Sequence, residues 1–358
     1  MSAAVVIMTG VATATALNRR DPVARPAKLS WTAPRAHPVV LALTALPLVY
    51  SVATVGIEPF VRRASYLFGE QGSFASSVVT QLTTLVIVVL GYIVARASGG
   101  TRFVAILILL GYVLMIGSYG SRRFALIPVL FALGVFLAGN TRWARWGLLL
   151  GAVVTFLLLP LPLDFRSSPT HGIAPYTSIL MSHDWFRADY LSALNNIFIS
   201  FPIIGQSAYG GAPVGWGDIA VSLNPIPGDA AGFYDISQRL RLNAYTPMAG
   251  IGELGNVGWD AVVIILGGVG VLLGYFENII RRGVVDGRLL YAGLIMGFVV
   301  LFALQMTQYN LRLASRLLVY LMVVELVRRG LALLARSQRT GLRNGRAGRG
   351  LTSTPRAG

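Results

Sequence analysis

Between Asp164 and Gly258 the chain reads DFRSSPTHGIAPYTSIL (164–180), NNIFISF (195–201), SLNPIPGD (222–229) and YDISQRLRLNAYTPMAGIGELGNVG (234–258). This stretch is the only long polar interruption in an otherwise apolar chain. Apolar runs long enough to cross a bilayer flank it on both sides. A connection of this length is functional or disordered rather than a plain linker. Its tryptophans, tyrosines and phenylalanines argue against disorder. We therefore expect a folded external loop that roofs a membrane-embedded site.

The totals point the same way. Of 358 residues, 55% are hydrophobic and 12% charged, where soluble domains carry roughly 25% charged residues. The net charge of +16 would suit nucleic acid in a soluble protein. Here the arginines sit between apolar runs and in the tail, so membrane topology explains them and no nucleic-acid partner is expected. There are no cysteines, which excludes disulfides, thiolate metal sites and thiol nucleophiles.

Apolar runs at 38–57, 76–95, 103–118, 124–139, 147–163, 259–277, 289–306 and 313–334 read as spans, mostly Leu, Val, Ile, Gly and Ala. Residues 3–17 are apolar but short, and whether they form another span is left open. The fold class expected is an all-α polytopic membrane protein of about 8–9 transmembrane helices with one large external loop. The divisions are a short apolar start and basic leader (1–37), an N-terminal bundle (38–163), the large loop (164–258), C-terminal helices (259–335) and a basic disordered tail (336–358). Basic residues concentrate in 18–37, 96–102, 140–146, 278–288 and the tail. By the positive-inside rule these face the cytosol, and the large loop faces outward. The tail reads as a disordered end that touches anionic membrane lipids.

The basic residues on the outward side carry the most information. GSYGSRRFAL (117–126) is a tight turn that sets Arg122 and Arg123 at the membrane surface. They are either snorkelling helix-end residues or a clamp for phosphate, which the planar, permanently charged guanidinium suits. In TQYNLRLASR (307–316), Arg312 and Arg316 fall at i and i+4, on one helical face; the same two readings apply. The loop adds Arg166, Arg187, Arg239 and Arg241. The last two would share a face in a strand but not in a helix.

A reaction at an acceptor hydroxyl calls for a base. Glu253, in the glycine-flanked GIGELGNVG, and His171, in THGIAPY, are the candidates, each with a structural alternative. The outward loops carry no DxD-like pair, and the chain has no Walker loop and no HExxH, so no metal site or cofactor is expected. No charged residue is expected near the middle of a span, which weighs against an ion-coupled transporter.

GSRRFAL after a span, THGIAPY, SLNPIPG and GIGELGNVGW, in that order, resemble the bacterial oligosaccharide repeat-unit polymerases, the Wzy class of O-antigen, capsule and exopolysaccharide polymerases. The resemblance covers about Gly117 to Asp260, with NPIPG and GE-x-x-N-x-G its most specific parts. It implies a glycosyltransferase-C-like enzyme at the outer face of the inner membrane. Such an enzyme moves a growing glycan from undecaprenyl diphosphate onto an incoming lipid-linked repeat unit. It uses no nucleotide sugar or metal, and a chain-length regulator is a conceivable partner. It also implies diphosphate-binding roles for external arginines. Arg122 matches the arginine after the span, and Arg239 and Arg241 match loop arginines, with Gly250 and Gly252 each eleven residues on. Glu253, Asn256 and Gly258 match the loop-end element. Many relatives have more spans than this chain. Two rivals remain: an O-antigen ligase-like transferase, given Arg122 with Leu126 four residues on, and a non-enzymatic transporter of lipid-linked sugars.

Overall fold

A computed structural model describes residues 37–65, 74–139, 142–226, 228, 230–243 and 246–348. The apolar start and the basic leader up to residue 36, and the last ten residues, lie outside these. The described residues form helices and two isolated bridges, with no strand among them.

Four helices are long and apolar enough to cross a membrane: Gly99–Ser118, Arg142–Ser167, Trp259–Val285 and Tyr291–Gln308. Three shorter apolar helices accompany them, at Val40–Val55, Thr83–Arg96 and Arg123–Ala138. The described residues thus have the all-helical character of a membrane protein. One helix shows why. Along Gly99–Ser118, Phe103, Leu107, Leu110 and Leu114 are half-exposed or more, while Ala105, Tyr112, Met115 and Ile116 are buried. A helix apolar on both its inner and outer faces fits hydrocarbon rather than water as its outer solvent.

We number the helices α1 (His37–Val55), α2 (Glu58–Val61), α3 (Phe74–Arg96), α4 (Gly99–Ser118), α5 (Arg123–Ala138), α6 (Arg142–Leu158), α7 (Leu161–Ser167), α8 (Ile173–Ser182), α9 (Tyr190–Phe198), α10 (Ser200–Tyr209), α11 (Trp216–Leu223), α12 (Phe233–Ser237), α13 (Gly250–Val257), α14 (Trp259–Val285, with a π-turn at Val262–Leu266), α15 (Leu289–Gln308) and α16 (Leu311–Gly348). In the N-terminal half, α3, α5 and α6 pack side by side and α4 packs on α1. Small residues allow the closest approach: a Cβ on Gly134 would lie 2.1 Å from the Val88 carbonyl oxygen, and one on Gly91 2.3 Å from that of Phe131. With little hydrophobic drive between helices in lipid, such backbone proximity supplies the attraction. Tyr112 donates to the Thr44 carbonyl at 2.7 Å, tying α4 to α1.

In the C-terminal half α14, α15 and α16 pack in series. The two halves meet along α15, where Gly297 faces Leu85 and Gly293 faces Leu137.

The polar interruption folds as a chain of short helices divided between the halves. Leu161, Phe165 and Tyr176 form a cluster with Phe124, Leu158, Ile179 and Trp185 on the N-terminal side. Val214, Ile219, Ile236, Leu240, Met248 and Leu254 join the C-terminal core with Leu266, Phe276, Ile295, Leu311 and Leu317.

Two expectations change. The segment given as a disordered tail is helical as far as Gly348, as the continuation of α16. Its Arg, Leu, Gln and Ala are good helix formers, and extending an existing helix needs no new nucleus. A charged residue does sit near the middle of the 313–334 run. Glu325 is buried, and it is matched by five donors on three helices. Arg328 donates from Nε and Nη2 at 2.7 Å each, Arg329 from Nε at 2.8 Å, and Tyr275 and Tyr291 through their hydroxyls. The pairing at i+3 and i+4 neutralises the carboxylate inside its own helix.

Candidate functional site

The site begins at the turn between α4 and α5. Gly120 takes φ +60° there, and a Cβ on it would lie 2.8 Å from the Tyr176 hydroxyl and 3.2 Å from the Phe165 Cβ. The turn therefore rests on the aromatic cluster, where Phe165 stacks on Tyr176 with centroids 4.3 Å apart. Arg122 and Arg123 follow directly, with Phe124 against Phe165 at 6.0 Å. Arg166 follows Phe165 on α7. One rigid platform thus presents guanidinium groups from two elements.

Arg122 and Arg166 line a cavity of about 570 Å³ between the halves. Ser192, Asn195 and Ile199 of the α9 region, Ile203 of α10, Thr246, Pro247, Gln308 and Tyr309 complete the wall. Among these described residues there is no carboxylate, so the cavity is electropositive with neutral polar groups around it. A second cavity of about 120 Å³ lies against the first and shares Arg122, Gln308 and Tyr309. Its other walls are Arg123, Thr84, Gln305 and the apolar side chains of Leu126, Leu301, Leu304 and Leu317. A cationic, hydrogen-bonding chamber thus adjoins a leucine-lined slot, the two sharing Arg122, Gln308 and Tyr309 as a common wall. That combination fits a ligand with an anionic polar head and an apolar chain.

The wall carrying Gln308 and Tyr309 is held by a clasp. The Tyr309 carbonyl accepts the Gly250 N–H at 2.8 Å, and the Glu253 carboxyl accepts the Leu311 N–H at 3.1 Å. Ser207 accepts the Ala249 N–H at 3.0 Å through Oγ, and its carbonyl accepts from Asn256 Nδ2 at 3.1 Å. Asn256 Oδ1 in turn accepts the Val214 N–H at 2.9 Å. Gly252 has no room for a side chain, since a Cβ would stand 2.2 Å from that of Ser207. Glu253 is fully buried, and burial pushes its carboxyl up to about 8. It caps the first turn of α16 and is not among the residues lining the cavity.

His171 is also a structural element here. Its backbone pairs with Arg63, its Nδ1 meets the Tyr176 hydroxyl at 2.8 Å, and burial followed by the nearby Arg63 charge holds its pKa below the usual imidazole value. It braces the platform from behind rather than lining the cavity. Arg312 is buried and donates to the Val221 carbonyl at 2.7 Å and to that of Ile226. Its guanidinium also lies 4.6 Å from the centroid of Phe233. Arg316 reaches the Ile226 carbonyl at 3.5 Å. The predicted shared face exists, and it grips the NPIPG segment. Arg239 pairs with Asp218 at 2.9 Å. Arg239 lies in the turn after α12, and Arg241 forms an isolated backbone bridge to Pro247, which lines the cavity; neither belongs to a strand.

The structure thus joins Arg122, Arg123 and Arg166 at one site and places Arg239, Arg241, Arg312, Arg316, Glu253 and His171 around it. Ser192, Asn195, Thr246, Gln308 and Tyr309 were not singled out from sequence. They are neutral, and only the fold brings them together. Comparison with protein families, with curated proteins and with solved structures finds no match to this chain.

Proposed function

We propose that the protein is a polymerase of lipid-linked oligosaccharides. It transfers a growing glycan from undecaprenyl diphosphate onto an incoming lipid-linked repeat unit at the outer face of a bacterial inner membrane. The observation that carries this reading is the pair of adjacent cavities, with Arg122 lining both. A polyprenyl diphosphate has the matching form: an anionic head for the arginines, sugars for the polar chamber and an isoprenoid chain for the leucine slot.

The chemistry asked of the site is modest. The bond from the anomeric carbon to the carrier diphosphate breaks as the hydroxyl oxygen of the incoming sugar bonds that carbon. The hydroxyl proton passes to the departing diphosphate, which leaves as undecaprenyl diphosphate. Arg122 and Arg166, held by the aromatic platform, stabilise the negative charge that develops on the leaving group. Ser192, Asn195, Thr246 and Gln308 offer hydrogen bonds that hold the sugars in register, and positioning supplies much of the rate. Arg123, in the slot, reaches the same headgroup level.

This reading counts about eight spans, the last being the first part of α16. The large loop is external and the C-terminus cytosolic, on the strength of the positive-inside distribution. Ligase-like transfer is the second reading. It is favoured by Leu126 lining the slot together with Arg122, and it differs only in the acceptor.

The test is purified protein mixed with undecaprenyl-diphosphate-linked repeat units and no nucleotide. A ladder of products supports polymerisation. A single transfer to another acceptor supports the ligase, and transport without transfer overturns both.

A further inference from the structure

The segment from Leu180 to Phe201 carries large apolar side chains that stay exposed among the described residues. Phe186 is fully exposed, Met181 and Leu191 are more than three-quarters exposed, and Phe201 is two-thirds exposed. The turn that displays Phe186 is built, not loose. Asp184 Oδ1 accepts the N–H groups of Phe186 and Arg187 at 3.1 and 3.3 Å. Tyr190 donates to the Trp185 carbonyl at 3.1 Å, and Asp189 caps α9 through the Ser192 N–H at 2.8 Å. Such caps fix the turn with its aromatic tip outward.

A second observation says what lies against that tip. Tyr190 stacks on Phe156 of α6, centroids 5.1 Å apart and planes 9° apart. Phe156 belongs to one of the four long apolar helices. It stands on a face that also exposes Leu149, Leu150, Val153 and Leu157. The start of α9 is therefore at the depth of a lipid-facing residue, and exposed Leu191 follows Tyr190 directly, with Phe186 four residues before Tyr190. The polar groups of the turn, Asp184, Arg187 and Asp189, sit together and exposed, where lipid headgroups and interfacial water would meet them.

We propose that Leu180–Phe201 is an interfacial membrane element. It seats Phe186 and Leu191 in the bilayer on the cavity side, with Arg187 among the lipid phosphates. The partner is the lipid surface. Because Ser192 and Asn195 of the same helix line the large cavity, α9 forms a wall between that chamber and the bilayer. The inference does not rest on the glycan reading and survives its failure.

The lack of native cysteines makes the test direct. Single variants Phe186→Cys, Leu191→Cys, Arg187→Cys, Leu110→Cys and Gln238→Cys carry a nitroxide label in vesicles of phosphatidylethanolamine and phosphatidylglycerol. Gel filtration checks each for the wild-type elution position. Collision rates with oxygen and with a water-soluble nickel chelate then report depth. The expected result is oxygen-rich, nickel-poor behaviour at 186 and 191, as at the lipid-facing control 110, with 187 shallower. Nickel access at 186 and 191 equal to that at 238 overturns the proposal. So does low access to both reagents, which would mean a protein covers the patch. Labelling by an impermeant maleimide gives a second measure: protection at 186 supports insertion, and rapid reaction overturns it.

Discussion

The carboxyl group of Glu253 accepts the backbone N–H of Leu311 at 3.1 Å, joining residues 58 apart in the chain. The bond ties the end of the large loop to the first turn of α16. Immediately before that turn lie Gln308 and Tyr309, which line both cavities. Burial raises the Glu253 carboxyl from 4.5 to about 8, so it is protonated at neutral pH.

Stability should therefore depend on pH in a definite direction. A folded-state pKa above the unfolded one means that the native protein binds the extra proton. The contribution is complete below about 4.5 and is lost as pH rises through about 8. Thermal unfolding midpoints should fall between pH 6 and 9 in the wild type. Glu253→Gln should flatten that slope and keep the acceptor for Leu311. Glu253→Ala leaves a buried N–H unpaired and should cost about 1–3 kcal/mol. A wild-type slope in Glu253→Gln would assign the pH dependence elsewhere.

If the proposed polymerase reading holds, Arg122→Ala should abolish polymer at unchanged protein level and membrane insertion, with a loss of about 10²-fold or more in transfer rate. Arg166→Ala should act in the same direction. Arg122→Lys keeps the charge but not the fork and should recover only part of the activity. Product ladders resolved on gels measure all three, and wild-type chain lengths in Arg122→Ala would count against the clamp.

Arg312→Ala should loosen the NPIPG segment rather than empty the cavity, because Arg312 donates to the Val221 and Ile226 carbonyls. The expected cost is about 1–3 kcal/mol, read as a lower unfolding midpoint and faster proteolysis within 221–230. Lysine at this position cannot reproduce the planar two-carbonyl grip.

Gly134→Ala should be harmful despite its small size. The new methyl would meet the Val88 carbonyl oxygen at 2.1 Å and the Tyr92 nitrogen at 2.8 Å, and forcing α3 and α5 apart should cost about 1–3 kcal/mol or more. Gly147→Ala, with nothing within 4 Å, is the matched control and should be neutral or slightly stabilising. Thermal melts followed by size-exclusion chromatography compare the two.

Glu325→Ala should strand Arg328 and Arg329 against Tyr291 and Tyr275, since the carboxylate is the acceptor both guanidinium groups share. Arg328 and Arg329 are themselves 38% and 54% exposed, so the loss should be nearer that of unpairing part-buried hydrogen-bonding groups, about 1–3 kcal/mol. Removing Arg328 as well should restore part of the loss, measured as a double-mutant cycle in melting temperature.

Much of this was legible in the residues. Apolar runs and their punctuation located the helices, because hydrocarbon permits little else. The glycine-bearing turn before Arg122 and the i, i+4 relation of Arg312 and Arg316 are local, so spacing alone revealed them. The partners of those arginines were not legible. Arg312 meets a carbonyl 91 residues away, and no local pattern encodes that. Glu253 looked like a base because it is an acid among glycines. Those glycines instead let α13 pack closely, Gly252 on Ser207, Gly250 on Leu311 and Gly255 on Ala208, and so bury it. Glu325 escaped notice because its compensation, Arg328 and Arg329, reads like an ordinary basic helix end. Asn195 and Tyr309 gave no signal of their own, since neutral side chains acquire meaning only from their neighbours.

The partition of the large loop has a mechanical consequence. Each portion is anchored in the core of its own half, and the chamber is a seam between two bodies that touch along α15. Its width is set by how those bodies lean on one another. A change in that width would then need only a shift along the seam, with no helix having to melt.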